Sequence, residues 1–561
     1  MHRATLPERR ALRAQQNYNI RSVQAMRTRR EWGAIAIGCR QGGAVRLLGR
    51  SVVLAALLAL AACAGSSPPS AATAAPTARG MVHVTPQRDW SDAVLYFVIL
   101  DRYADGDGSN DDKVDRTNPG GWHGGDLKGL TQQLDEIASL GATALWITPV
   151  VKQIDYCPPS QAPTGITVPG GWFEHCAFHG YWADDFTKLD PHFGSEADLK
   201  ALVDAAHARG MKVLLDVVYN HVGYDASYTK DPATKDWIRS KPVECSADAL
   251  ICQVGGLPDL KTELPEVQDY LLAAHLGLAK RVGLDGFRLD TVKHIDHDFW
   301  RRHRAETRAQ LGPDFFLLAE VWGGSATVLE DYFGDDEMDA GFDFTFKGSC
   351  ESYVQGKGRT IAFASYLEKR HRVHAGHHLA HYLSSHDEPM ALANLGGDKQ
   401  AFKLCVALQM TSLGIPTIYY GEEVARAGSS WPLNRGDMPW GKRAVQPGKG
   451  LARDEALRDY YRRLIETRRD NVALSRGSFT KRSTDGDLLV FERSDEATGN
   501  AVVVAVNRGQ ITITSVVDAP PAWGAQAKAT EVLTGATVEV DRGRIAVTVP
   551  ARTAAVYVKK T

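Results

Sequence analysis

Four short strings put acids, histidines and one arginine where an apolar run stops: DVVYNH (Asp216 to His221), GFRLDTVKH (Gly286 to His294), LLAEVW (Leu317 to Trp322) and LSSHDE (Leu383 to Glu388). An acid ending a single apolar run is often only a helix N-cap. Four in succession bring several carboxylates to one rim. Arg288 stands two residues before Asp290, so on a strand both side chains face the same side and the guanidinium keeps that carboxylate ionised. A lysine there would lack the bidentate fork. Glu320 follows Leu317, Leu318 and Ala319 and precedes Val321 and Trp322, an apolar setting that disfavours its charge and suits a proton donor. One acid held charged beside another held protonated is the pairing that bond cleavage by a nucleophile and a general acid needs.

The elements that must position these groups are legible from residue 90 onward. Short β-branched and aromatic runs alternate with amphipathic helical stretches, the mark of a parallel sheet. Eight runs can be counted: AVLYFVIL from Ala93, GATALWITPV from Gly141, GMKVLLDVV from Gly210, GLDGFRLD from Gly283, FFLLAEVW from Phe315, MDAGFDF from Met338, HLAHYLSSHD from His378 and GIPTIYYGEE from Gly414. Eight is the number of a (β/α)8 barrel, whose reactive residues sit at the C-terminal ends of its strands. Between them, LKGLTQQLDEIASL and SEADLKALVDAAHARG carry the apolar spacing of outer helices, with Ser195 as an expected N-cap. The connection after the third strand, about 222–266, is too long for an ordinary loop and reads as an inserted subdomain. From about residue 476 the pattern turns to alternating strands (LLVFER, AVVVAVNR, ITITSVV, RIAVTVP, AAVYVKK), which predicts an all-β domain over 476–561 after a barrel over 90–475.

The 561 residues carry a net charge of −2, but residues 1–62 hold eleven Arg, no Lys, and only Glu8 and Glu31, a balance of +9 that leaves −11 on the rest. An acidic body argues against nucleic acid as a partner. The stretch Val52 to Ala62 is too short to span a bilayer and has the length of a signal-peptide core. LAAC at Leu60 to Cys63 resembles a bacterial lipobox, so Cys63 is the expected lipid anchor. Residues 64–80 form an Ala/Ser/Pro/Thr tether, within a segment 63–89 that precedes the barrel. An exported, membrane-anchored lipoprotein facing the periplasm or the cell surface is expected, with a secreted protein as the alternative. Cysteine use agrees with export: Cys157 with Cys176 and Cys245 with Cys252 are the expected disulfides, and Cys405 is expected as a buried free thiol rather than a partner for Cys350.

The four strings, with WITPV, LPDL at Leu257 and GIPTIYYGEE, resemble the conserved regions of the α-amylase superfamily, glycoside hydrolase family 13, over about residues 90–561. The resemblance implies a (β/α)8 barrel with a B subdomain after the third strand and a C-terminal antiparallel β-sandwich. It implies retaining cleavage of α-1,4-glucosidic bonds in starch or maltodextrin, with Asp290 as nucleophile, Glu320 as acid/base and Asp387 as the third carboxylate on the same sugar. Asp216 becomes a support for the site. His221 and His386 match sugar-binding histidines, Tyr181 of HGYW the tyrosine at the cleavage point, and Lys293 with His294 the leaving-group side. Arg435 matches a family arginine, but four residues before it Trp431 stands where fungal-type amylases carry an Asp, which puts the glycone-side subsites in question.

Calcium is the cofactor the resemblance implies. Asn220, Asp259 and the His294 carbonyl match one family site, and Asp105, Asp107, Asn110, Asp111, Gly124 and Asp126 match a second, near the start of the barrel. The second is not an EF-hand, because its sixth position is Asn110 rather than Gly. A monomeric α-amylase is the leading expectation. A cyclomaltodextrinase, neopullulanase or cyclodextrin glucanotransferase is the enzymatic alternative, and a non-catalytic starch-binding lipoprotein the alternative from another class.

Overall fold

The computed structural model describes residues 81–560, apart from Arg88 and residues 163–170. The expected signal segment, Cys63 and the tether over 64–80 lie outside the described residues. Eight parallel strands close into a barrel in chain order: β1 (Leu95–Val98), β2 (Ala144–Ile147), β3 (Lys212–Val217), β4 (Gly286–Leu289), β5 (Phe316–Ala319), β6 (Ala340–Phe342), β7 (His378–Tyr382) and β8 (Ile415–Tyr419). Each falls within one of the eight apolar runs. Nearly every strand residue is buried, as a sheet covered by helices outside and side chains inside requires. The expected helix start is present: Ser195 caps Glu196–His207 in a reciprocal capping box with Asp198.

Two long excursions rise from the rim. The connection after β3 is coil with short turns at Ser227–Thr229, Lys235–Trp237 and Val254–Gly256, tied down by bridges between His221 and Asp259 and between Ile238 and Leu260. A second excursion, which the sequence reading did not single out, follows β2. It holds the strand pairs Val151–Gln153 with Ala183–Leu189 and Pro159–Gln161 with Trp172–Glu174. The disulfides Cys157–Cys176 and Cys245–Cys252 staple the two excursions, one each, while Cys350 and Cys405 are buried free thiols.

After Arg476 an eight-stranded antiparallel sheet follows: β9 (Ser478–Ser483), β10 (Leu488–Asp495), β11 (Asn500–Asn507), β12 (Ile513–Asp518), β13 (Gln526–Glu531), β14 (Thr537–Asp541), β15 (Arg544–Val549) and β16 (Thr553–Lys559). Its order is β9-β10-β11-β16-β13-β14-β15-β12, so the sandwich is one continuous sheet folded on itself. Alternation divides the strands between two cores. Leu489, Phe491, Val502 and Val504 join the barrel's core, and Leu488, Val490, Val503 and Ala505 form the domain's own. Strands β9, β13 and β14 escaped the sequence reading because polar residues such as Lys481, Lys528 and Glu539 break up their apolar residues.

Candidate active site

The rim is organised around one buried guanidinium. The β3–β4 register sets Asp216 opposite Arg288, which is 2% exposed and rests over the Trp146 ring. Its Nη1 donates to Asp290 Oδ1 (2.7 Å) and Asp216 Oδ1 (2.9 Å), and its Nη2 lies 3.4 Å from Glu320 Oε2. One cation therefore serves three carboxylates, too few for all to be charged. Burial pushes Glu320 up to about 8, with Arg288 opposing and Asp290 and Asp387 adding to the rise. At neutral pH Glu320 holds its proton. The Thr291 N–H donates to its Oε2 at 2.8 Å and fixes its orientation.

Asp216 is raised to about 7 by burial, against the pull of Arg288. Its Oδ2 accepts from Trp146 Nε1 (3.0 Å) and from the Tyr181 hydroxyl (2.7 Å). It is fully enclosed and positions Arg288 and Tyr181 from behind the site. The Tyr181 ring lies parallel to His386, with centroids 5.3 Å apart.

Beyond β7, Asp387 accepts from Arg435 Nη2 (2.9 Å), and His386 Nε2 lies 3.1 Å from its other oxygen. Its surroundings oppose its charge, but His386, Arg435 and Arg288 outweigh them and hold the carboxyl below the usual range. Burial drops His386 itself to about 3, so at neutral pH it is a neutral hydrogen-bonding group and Arg435 supplies the lasting charge. Arg435 is locked in turn by donating Nε to the His386 carbonyl at 2.9 Å.

These residues open on one cavity of about 540 Å³, lined by Tyr181, His221, Asp290, Lys293, His294, Glu320, His386, Asp387 and Arg435. Every residue expected to react or to bind sugar lines it except Arg288, which lies buried behind Asp290. A larger cavity, about 720 Å³, lies against the C-terminal sheet and contains none of them. Lys293 donates to the Trp322 carbonyl at 3.3 Å, and His294 Nδ1 lies 2.8 Å from the Ala249 carbonyl in the Cys245–Cys252 loop. The same cavity is lined by His175, His179, Trp182, Trp322 and Trp431, none of which was assigned a sugar-binding role from sequence. His175 and Trp182 come from the excursion after β2, and the Pro/Gly-rich, disulfide-closed character of that segment was the available signal.

The two expected calcium sites behave differently. In the loop near the start of the barrel, Asn110 Oδ1 and Asp111 Oδ1 are buried with no hydrogen-bond partner. Burial, with repulsion from Asp105 and Asp126, raises the Asp111 pKa. A Cβ on Gly124 would fall 2.5 Å from Asp111 Oδ1, so glycine keeps that cradle open. Arg116 Nη2 already lies 3.0 Å from Asp105 and 3.9 Å from Asp111. The orphaned oxygens of Asn110 and Asp111, with the Gly124 carbonyl, fit a hard cation that shares this loop with that guanidinium. Asp105, Asp126 and Asp107 are otherwise engaged, Asp105 with Arg116, Asp126 as the cap that accepts from the Gly129 N–H (2.6 Å) and Asp107 with Lys128.

The set Asn220, Asp259 and His294 does not fit calcium. Asp259, 1% exposed at its side chain, already receives Arg239 Nε at 2.6 Å, and Arg239 Nη2 reaches Glu263 at 2.6 Å. Burial still raises Asp259 to about 7, so its charge is costly even with the arginine present. A fixed guanidinium stands on the one carboxylate of that set, and a divalent ion beside it would be repelled. The carboxylate of the expected ligand set is thus held in an ion pair with Arg239. The neighbouring Cys245 and Cys252 sulfurs are bonded to each other and offer His294 no thiolate partner for a metal.

The family model for the α-amylase catalytic domain matches residues 97–249 and 248–472. Neopullulanase 2 of Thermoactinomyces vulgaris is 32% identical over 462 residues, covering 77% of this chain and 72% of its own. A cyclomaltodextrinase of a Bacillus species is 32% identical over 413 residues, covering 69% and 67%. Among solved structures, the α-amylase of Geobacillus thermoleovorans complexed with acarbose superposes with a TM-score of 0.72 at 31% identity, covering 85% of this chain and 100% of that one.

Proposed function

The chain belongs to the α-amylase family of glycoside hydrolases, and we propose that it cleaves internal α-1,4 bonds of starch and maltodextrins with retention. The observation that carries this is Arg288 bridging Asp290 and Glu320 while Glu320 is held protonated. The covalent, retaining route is the one the family resemblance implies for this pair. Asp290 Oδ attacks the anomeric carbon as the glycosidic C–O bond breaks, and the Glu320 proton passes to the leaving oxygen. Glu320, now a carboxylate, then takes a proton from water. That water's oxygen displaces Asp290 from the anomeric carbon, and Glu320 ends protonated as it began. Asp387, His386 and Tyr181 hold the same glucose, and the Asp387 carboxylate favours the positive charge that develops on it.

The names of the relatives support a second reading, a cyclomaltodextrinase or neopullulanase. Supplying a soluble protein from Met81 onward with starch, maltodextrin, pullulan and cyclodextrin separately decides between them. Linear maltooligosaccharides released fastest from starch support the first reading, and a marked preference for cyclodextrin overturns it. We further propose calcium at the Asp111 loop, where it would neutralise crowded carboxylates and hold that loop against the barrel. Lipid attachment at Cys63 is the corresponding proposal for localisation, checked by the mass of the mature N-terminal peptide.

A further inference from the structure

We propose that Trp431 and His175, backed by Phe173, form a sugar subsite on the glycone side of the cleavage point, a stacking face with one hydrogen-bonding imidazole that helps select which bond is cut. The proposal rests on the α-glucan reading above and deepens it. Trp431 follows β8 and stands two residues before the turn Leu433–Arg435, whose Arg435 holds Asp387. It therefore stands on the Asp387 side of the cavity. The proton donor Glu320, beside Trp322 and Lys293, must face the departing group and so marks the other side.

Two segments distant in sequence meet at Trp431. Its ring centroid lies 5.2 Å from Phe173 and 4.8 Å from His175, and His175 in turn lies 4.6 Å from Trp182. Phe173 sits on a strand paired with Pro159–Gln161, and Cys176, next to His175, is bonded to Cys157. The wall is thus braced from behind. Trp431 is only half-buried, and it lines the same cavity as the catalytic acids. Beside it, His175 Nε2 is enclosed and has no protein partner. Burial, with Arg435 and Arg102 nearby, drops His175 to about 3, so the ring is neutral and can exchange a hydrogen bond with a hydroxyl.

A glucose ring offers an apolar C–H face and an edge of hydroxyls. An indole face with one unsatisfied imidazole nitrogen matches both, and an enclosed unpaired polar atom is costly until a ligand satisfies it. The proximity of Arg435 disfavours a cation here, and the neutral imidazole gives an anion no added charge, so a neutral sugar unit is the fitting occupant.

The test is the bond-cleavage pattern of reducing-end-labelled maltopentaose, read together with KM and kcat. Losing a glycone-side subsite moves the preferred cut, whereas general loosening of the fold slows all cuts alike. In Trp431→Ala we expect the preferred cut to shift by one glucose and KM to rise about tenfold, with kcat held within about threefold. Trp431→Phe should restore the wild-type pattern, and His175→Ala should raise KM about threefold without moving the cut as far. An unchanged pattern in both Trp431→Ala and His175→Ala overturns the proposal, as does an equal loss of rate at every bond. If Trp431→Ala does not fold, Trp431→Phe and His175→Ala decide by the same readout, since an unchanged pattern and KM in His175→Ala then overturns the subsite. A wild-type protein that cuts no α-1,4 bond in maltopentaose would instead refute the functional reading, which separates the two failures.

Discussion

Two ends of the same barrel bury charge in opposite ways. At the strands' C-terminal end, Arg288 serves Asp216, Asp290 and Glu320, and nearby imidazole atoms, His175 Nε2, His179 Nε2 and His221 Nε2, have no partner. At the other end two arginines are buried against backbone. Arg468 donates to the carbonyls of Met410, Ser412, Leu474 and Gly414, and Arg493 to those of Thr411, Leu474, Gly477 and Ser478. Those carbonyls include the last turn of the helix Lys399–Thr411, whose dipole favours positive charge. Even so, burial lowers Arg468 to about 10. The lower end commits its guanidinium Nη groups to carbonyls, leaving Arg468 Nε unpaired, and joins barrel to C-terminal sheet. The upper end leaves groups unsatisfied, and they become useful when a sugar arrives.

The comparison breaks most sharply by neutralising one member at each end. Asp290→Asn should lower kcat on the order of 10⁴-fold while the melting temperature stays close to wild type and glucan binding remains detectable by calorimetry. Retained hydrolysis at the wild-type rate would remove Asp290 from its role. Arg493→Met should do the reverse. With four carbonyls losing a donor, it should cost about 3 kcal/mol of stability in urea unfolding and leave kcat of the folded protein within about twofold. A stable Arg493→Met protein would show that the lower arginines are incidental to the junction.

A smaller, graded effect comes from the crowding of carboxylates around Arg288. Because Glu320 is raised to about 8, the proton it donates is present at neutral pH and is lost as the pH rises through that value. The basic limb of kcat/KM should therefore fall about tenfold per pH unit above about 8. Linkage gives the matching sign for stability. The folded protein keeps the Glu320 proton after the unfolded chain has lost it near 4.5, so this contribution is complete below about 4.5 and declines up to about 8. Glu320→Gln, inactive, should gain stability relative to wild type as the pH is raised across that window. A basic limb centred well below 7 would show that Arg288 holds Glu320 ionised after all.

What could be read from sequence was whatever declares itself locally. Each barrel strand is an apolar run ended by a polar group, and Arg288 and Asp290 share a face by simple alternation. Each disulfide joins cysteines close in the chain. What escaped depends on pairs far apart: Trp431 against Phe173, Arg239 on Asp259, Arg468 against Gly414. Even there a signal existed. Arg468 continues the stripe Leu457, Tyr461, Leu464 of the helix Glu455–Asp470, and Arg493 continues Leu489 and Phe491 on β10, so both fall on faces that are otherwise core. A cation on an apolar face is a buried cation in search of carbonyls, and the general preference of arginine for the surface concealed it. No comparable periodicity governs the excursion after β2, which is why His175 went unassigned.

The smallest effect separates a resident side-chain cation from a bound one. If the Asp111 loop holds calcium while Arg239 holds Asp259, then chelation should lower the melting temperature, and Asp111→Asn should abolish that response. Saturation at about a hundred times Kd is worth about 2.7 kcal/mol, which sets the scale of the shift. Arg239→Met should instead lower stability with or without chelator and leave the calcium response intact. It also strands the Asp259 carboxylate in a buried place, where burial already raises its pKa to about 7 against the arginine's pull. The cost should therefore grow as the pH rises and Asp259 ionises, and Asp259→Asn placed on Arg239→Met should recover part of it. Metal content gives the independent reading: one calcium per chain in wild type, none in Asp111→Asn, and one still in Arg239→Met. Two ions per wild-type chain would place a metal beside Arg239, and the guanidinium would then be a neighbour of that ion rather than the group that stands in its place.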